Sequence, residues 1–189
     1  MIERARADTT DPRVTYEVAD AAAWRAPERP DVIVSNAMFQ WVGRHIELLP
    51  GIADGAARAF AFQVPGNQDA PSHALLAATA TEFGVTDFRR VDVREPVEYL
   101  AALQRPGWTV DVWESTYLHV LQGPDAVYEW ISGTGARPVL ARLDGAEREE
   151  FIARYKAELN IAYPPQDFGT VLPFRRILAV ATRDQESSA

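Results

Sequence analysis

The chain contains no cysteine, which excludes disulfides, thiolate-bound zinc and thiol nucleophiles together. It has only three histidines, His45, His73 and His119, and they lie too far apart to show metal-ligand spacing. No apolar run approaches the roughly 20 residues of a membrane-spanning helix, and the charged opening MIERARADTT lacks a signal-peptide core. A cytoplasmic protein with no membrane partner is the expectation. Basic residues are in the minority, 19 Lys and Arg against 27 Asp and Glu, and the resulting net charge of −8 argues against a nucleic-acid partner. A few local arginines can still make a cleft positive. Also missing is a Gly-rich turn of the kind that lets backbone approach a nucleotide closely.

What is present is enough for one domain with a sizeable core: 189 residues, 47% of them hydrophobic. The most informative stretch is DVIVSNAMFQWV, Asp31–Val42. Val32, Ile33 and Val34 read as a buried strand that stops at Ser35-Asn36-Ala37, and Phe39, Gln40 and Trp41 follow at once. In open α/β sheets ligands bind outside the carboxyl ends of the strands, so this stretch reads as the floor of a cleft.

Other elements follow from pattern. Met1–Ala7 reads as the end of a helix, Val14–Ala19 as a short strand, and Ala21–Trp24 as a helical turn. His45–Ala57 reads as a helix disturbed by Pro50, Ala59–Val64 as a strand, and Pro65-Gly66-Asn67 as a turn. Pro71–Phe83 has helical spacing. Pro96 suits a first helical position, with Val97, Leu100 and Ala101 on one face. Thr109–Leu121, rich in Val, Thr, Tyr and Trp, reads as a strand. Two helices follow, one carrying Val127, Trp130 and Ile131. The other opens on an Asp144/Glu147 capping box and places Phe151, Ile152, Tyr155 and Leu159 together. Arg176–Thr182 reads as the last strand. The early alternation implies a parallel α/β sheet, and the end implies an antiparallel edge pair with a helical insertion between its strands.

That layout resembles a class I S-adenosylmethionine-dependent methyltransferase, and most closely the trans-aconitate 2-methyltransferase family. The resemblance is carried by VADAAAW at 18–24, DVIVSNAMFQWV at 31–42, QVPGN at 63–67, PSHA at 71–74, VDVWESTYLH at 110–119, WISGTGARP at 130–138, AYPP at 162–165 and PFRR at 173–176. It implies a Rossmann-like sheet, an S-adenosylmethionine cofactor and a small anionic substrate, trans-aconitate, esterified on one carboxylate. The family's D-x-G-x-G turn and its ribose-holding acidic residue are absent here, so the chain reads as an N-terminally truncated domain. The expected divisions are 1–123 for a partial cofactor-binding domain, 124–172 for a helical substrate cap, 173–183 for the final strand and 184–189 for a disordered tail. A methyltransferase for another small acid or metabolite, or an inactive remnant, stays open as an alternative. No feature of the sequence specifies an oligomer.

The resemblance also implies roles. Asp20 would accept from the adenine amino group and Ala21 would offer its N–H, although Asp20 read alone is a strand-end residue capping the next turn. Asn36, Ala37 and Trp41 would line the cofactor, and Gln40 the substrate. Carboxylates call for arginine, which singles out Arg137 and the pair Arg175 and Arg176, with Arg176 the better match. Tyr117, His119, Tyr155 and Tyr163 could add donors, although a strand histidine is more ordinarily structural. No acid–base pair is found, and none is required when the nucleophile is an ionised carboxylate.

Overall fold

The structure, a computed structural model, describes residues 2–26, 28–87 and 91–184. Its centre is a four-stranded mixed sheet in the order β1 (Val32–Asn36), β2 (Ala59–Pro65), β4 (Thr170–Arg183), β3 (Trp108–Leu121). β1 and β2 run parallel, joined by helix α2 (His45–Asp54), which carries Pro50 inside it. β4 enters between β2 and β3 and is antiparallel to both. The remaining helices are α1 (Ile2–Asp8), α3 (Pro71–Glu82), α4 (Pro96–Leu103), α5 (Ala126–Ser132), α6 (Arg137–Leu140) and α7 (Gly145–Ala162). The expected antiparallel pair with helices between its strands is therefore present, with one short helix, α6, that the pattern did not announce. Among the described residues no helix is long and apolar enough to cross a membrane.

Strand alternation divides the molecule. In β2, Phe60, Phe62 and Val64 are buried while Ala59, Ala61, Gln63 and Pro65 are partly exposed on the other face. The buried side joins Ile177, Ala179 and Ala181 of β4 to Leu49 and Ile52 of α2 and to Tyr99 and Leu103 of α4. A second core forms where α3 packs on α7, built from Leu76, Ala80, Val127, Ile131, Val139, Phe151, Tyr155, Leu159 and Leu172. Nonlocal pairing and helix packing, rather than any single contact, hold the two together.

Several expectations are corrected. Val14–Ala19 forms no strand. A strand needs a ladder partner, and here Tyr16 is engaged by α1 and the residue after it instead: its carbonyl accepts from Arg6 at 2.6 Å and its hydroxyl meets Thr9 Oγ1 at 2.6 Å. On α4 the buried pair is Tyr99 and Leu103, one helical turn apart, leaving Val97 68% exposed, so the anticipated face points outward. Asp144 makes no side-chain cap on α7. The reciprocal capping box sits on α4, where Glu95 N donates to Glu98 Oε2 at 3.0 Å and Glu95 receives the return bond. β4 begins six residues earlier than read, at Thr170. β3 is 14 residues long and pairs with β4 throughout, whereas β2 pairs only with Arg176–Thr182. Pro173 therefore lies where β4 has β3 on one side and no β2 partner on the other, a position a proline tolerates. Asp184, assigned to the tail, is anchored: its N–H donates to Gly107 O at 3.1 Å and its carboxylate accepts from Thr109 at 2.8 Å. The rest of that segment, 185–189, lies outside the described residues.

Candidate functional site at the carboxyl ends of β1 and β2

The turn after β1 is strained and tied down. Ala37 has φ 50°, in the left-handed region that a residue with a Cβ seldom adopts. Two bonds hold it there: Ala37 N donates to Gln63 O at 3.0 Å, and the Gln40 side-chain amide donates to Ala37 O at 2.7 Å. Strain of this kind concentrates at binding sites. Gln40 is 4% exposed, and its Oε1 is buried without a partner among the described residues. Its carbonyl accepts from Asp92 N at 2.9 Å. Trp41, on the single 3-10 turn Phe39–Trp41, is 41% exposed.

A polar line then crosses three strands on one face. Asn36 is paired with Gln63, and Pro65 with Arg176, so Asn36, Gln63 and Arg176 lie on the same side of the sheet. Gln63 Nε2 donates to Asn36 Oδ1 at 2.5 Å, and Arg176 Nη1 donates to Gln63 Oε1 at 2.9 Å. The guanidinium also lies 5.1 Å from the ring centre of Phe174 and 5.8 Å from that of Tyr117, both on the same face.

Alternation sends Arg175 the opposite way. Its guanidinium bonds Glu95 at 2.9 Å and Glu114 at 2.6 Å, which together hold it well above the usual arginine range. Its backbone is clamped by Asn67, whose side-chain amide accepts from Arg175 N at 2.8 Å and donates to Arg175 O at 3.0 Å. Gly66 beside it is closely packed: a Cβ there would sit 3.1 Å from Ile177 Cδ1, which would have to shift to admit it. The PGN turn thus ties down the backbone of Arg175, while strand alternation and the register of β4 with β3 set the opposite directions of the two arginines. Arg175 is neutralised within the structure, and Arg176 has no carboxylate partner among the described residues.

The other anticipated residues scatter. Asp20 is exposed and caps the following turn, its Oδ1 accepting from Ala22 N at 3.0 Å, beside the half-buried Ala21. His119 packs against Trp130 and Phe174, with ring centres 4.9 and 5.7 Å away, and its buried Nε2 has no partner among the described residues. Through Phe174 it borders the arginine line. Arg137 begins α6, exposed, with nothing among the described residues joining it to Arg176. Tyr155 is a correction. It is fully buried, its hydroxyl donates to Ser72 O at 2.8 Å, and burial pushes that hydroxyl far above the ordinary tyrosine range. Tyr163 accepts from Ser72 N at 3.1 Å, so both tyrosine hydroxyls are engaged at the start of α3. Gln63 is the member that sequence reasoning passed over. Its signal was a lone polar residue near the carboxyl end of an otherwise apolar strand.

No family model matches the chain. The chain is similar to the trans-aconitate 2-methyltransferase of Streptomyces avermitilis, 47% identical over 91% of this chain and 67% of the relative. It is likewise similar to those of Streptomyces coelicolor, 46% identical over 99% and 66%, and Methylobacterium nodulans, 41% identical over 91% and 70%. The chain spans about two thirds of the length of these curated relatives. Among solved structures, a cyclopropane-fatty-acyl-phospholipid synthase-like protein from Lactobacillus casei aligns over 82% of this chain and 57% of that one, at 13% identity and a TM-score of 0.42.

Proposed function

Because the chain belongs to the trans-aconitate 2-methyltransferase family, we propose that it serves the transfer of a methyl group from S-adenosylmethionine to a carboxylate of trans-aconitate. The products are the monomethyl ester and S-adenosylhomocysteine. The observation that carries this reading is the contrast within one dipeptide. Arg175 is saturated by two glutamates, while Arg176 keeps its charge for a ligand beside the carboxyl ends of β1 and β2.

The residues present suit the cofactor's polar groups. Asp20 retains a carboxylate oxygen that could accept from the adenine amine, beside Ala21. The strained main chain at Ala37 suits the polar methionine end, with Asn36 and Trp41 adjacent. When bound, S-adenosylmethionine supplies a methyl group already activated by its sulfonium charge.

The chain's own contribution is positioning. Arg176 offers its remaining N–H groups to one carboxylate of the substrate, flanked by Phe174 and Tyr117 and held in direction by Gln63. A second carboxylate is the nucleophile. It is ionised at neutral pH, so no residue has to remove a proton, and the task left to the protein is alignment.

The test is calorimetric titration of the chain with S-adenosylhomocysteine and with trans-aconitate, followed by mass-spectrometric detection of the ester. Both ligands are expected to bind, and Arg176→Met is expected to weaken trans-aconitate by about 10- to 150-fold, the worth of a charge-assisted bond. Folded protein that binds neither ligand, or an Arg176→Met variant that binds trans-aconitate as the parent does, refutes the assignment.

A further inference from the structure

Arginine can only donate hydrogen bonds, and that fact propagates across the sheet. The atom of Gln63 that meets Arg176 must be its carbonyl oxygen, so the other branch of the amide is the NH2 group. That NH2 meets the Asn36 side chain, which must accept through Oδ1. The direction of an asparagine amide is ordinarily ambiguous between its O and N atoms. At Asn36 it is set by a guanidinium two strands away.

We infer that Gln63 is a positioning residue that sets the polarity of the cleft: it steadies Arg176 and turns Asn36 so that the exposed asparagine has its NH2 group left to offer. The line then presents donors at both ends. A ligand that fits it carries acceptor-only oxygens, as an ionised polycarboxylate does, and carboxylic acids, primary amides and alcohols fit worse because each brings its own donor. A second observation places Gln63 at the same junction: its main-chain oxygen accepts from Ala37 N at 3.0 Å and so closes the strained turn after β1. This inference deepens the polycarboxylate reading above and, for the ligand class, rests on it.

The test compares the parent chain with Gln63→Leu and Gln63→Glu, using two readouts and thermal midpoints as the check on folding. The first readout needs no ligand. In nitrogen-15 spectra the Arg176 guanidinium, assigned by its loss in Arg176→Lys, is expected to show restricted rotation in the parent. That restriction should vanish in Gln63→Leu and persist in Gln63→Glu, where an ion pair replaces the neutral bond.

The second readout is trans-aconitate affinity. Gln63→Leu should lower it about three- to tenfold, since the guanidinium stays charged but unsteadied. Gln63→Glu should lower it by more, above tenfold, because its carboxylate competes with the ligand and forces Asn36 to turn its NH2 inward. A merely structural glutamine predicts no such reversal, in which the variant that keeps Arg176 in place binds worst. Guanidinium spectra identical in the parent and Gln63→Leu, or Gln63→Glu binding as the parent does, overturn the inference. If the spectra respond as expected while the folded parent binds no trans-aconitate, the positioning role of Gln63 is supported and the substrate reading is what fails.

Discussion

Replacing Tyr99 with phenylalanine removes one oxygen atom from the core between the sheet and helices α2 and α4 and leaves the ring in place against Phe62, 5.2 Å away. That oxygen serves two partners. His45 is fully buried, and its Nδ1 lies 3.2 Å from Val42 O, an acceptor, so Nδ1 carries the proton. Nε2 is then an acceptor, and the Tyr99 hydroxyl, 3.0 Å away, donates to it. The same hydroxyl accepts from Arg94 N at 3.1 Å. Burial pushes its pKa up to about 12, so it remains protonated throughout the working range. Tyr99→Phe leaves a buried imidazole nitrogen and a partly buried N–H without partners. At about 1 kcal/mol per lost bond, with an added penalty at the fully buried end, the sum is about 2–3 kcal/mol. For a chain of this size each kcal/mol lowers the melting temperature by about 2–4 °C, giving about 4–12 °C.

Urea unfolding followed by tryptophan fluorescence measures the free energy, with an unchanged m-value as the check that two-state behaviour survives. The same substitution repeated in a His45→Phe background separates the two bonds, because there only the Arg94 N–H loses its partner, and the cost should fall to about 1 kcal/mol. A cost below about 0.5 kcal/mol, or an equal cost in both backgrounds, would refute the hydroxyl's bridging role.

Four further outcomes are expected. His45 and His73 are both held below the ordinary histidine range, chiefly by burial, although Asp92 facing His45 pulls the other way and Arg94 adds to the lowering. The unfolded chain therefore binds more protons just below pH 6.5, so their contribution is complete above that pH and is lost as the pH falls toward the depressed folded values. The melting temperature should drop between pH 7.5 and 5.5, and by less in His45→Phe; a profile unaffected by that substitution contradicts the assignment. Arg175→Met should cost about 1–2 kcal/mol through loss of its pairs with Glu95 and Glu114 while trans-aconitate affinity is retained, the mirror image of Arg176→Met. Ala37→Val places a β-branched residue at φ 50° and should destabilise by about 1–3 kcal/mol in the same unfolding assay. Tyr155→Phe frees Ser72 O and should cost about 1 kcal/mol without altering ligand affinity in calorimetry.

Much of this architecture was legible because period and punctuation agree. Pro71 and Pro96 do open helices and Thr109–Leu121 lies within β3. The apolar run at Val32 is a strand but not the buried one expected, because β1 is an edge strand paired on one side with β2 and leaves Val32 51% and Val34 70% exposed. Val14–Ala19 misled because β propensity describes a residue's fit to a pleated surface, and no strand among the described residues pairs with it. Tyr155 was read both as part of an apolar helical face with Phe151 and Leu159 and as a ligand donor. Burial settles the conflict in favour of the face. Alternation alone implies that Arg175 and Arg176 point to opposite sides. Which of them meets the glutamates depends on the register of β4 with β3, which brings Glu114, 61 residues distant in sequence, to the face of Arg175, and no local pattern carries that information. Gln63 was missed for a related reason: its importance lies in two partners on different strands.

The place of β4 between β2 and β3 also governs when the cleft can exist. Every contact that fixes Arg176 waits for a strand beginning at Thr170, while its partner strand β2 ends at Pro65. At synthesis rates of about 5–20 residues per second, roughly 5–20 s pass between the appearance of the two. During that interval β2 offers an unpaired edge flanked by Phe60, Phe62 and Val64, an invitation to pair with another chain. The same strand that completes the binding line is thus also the one that covers this edge of β2.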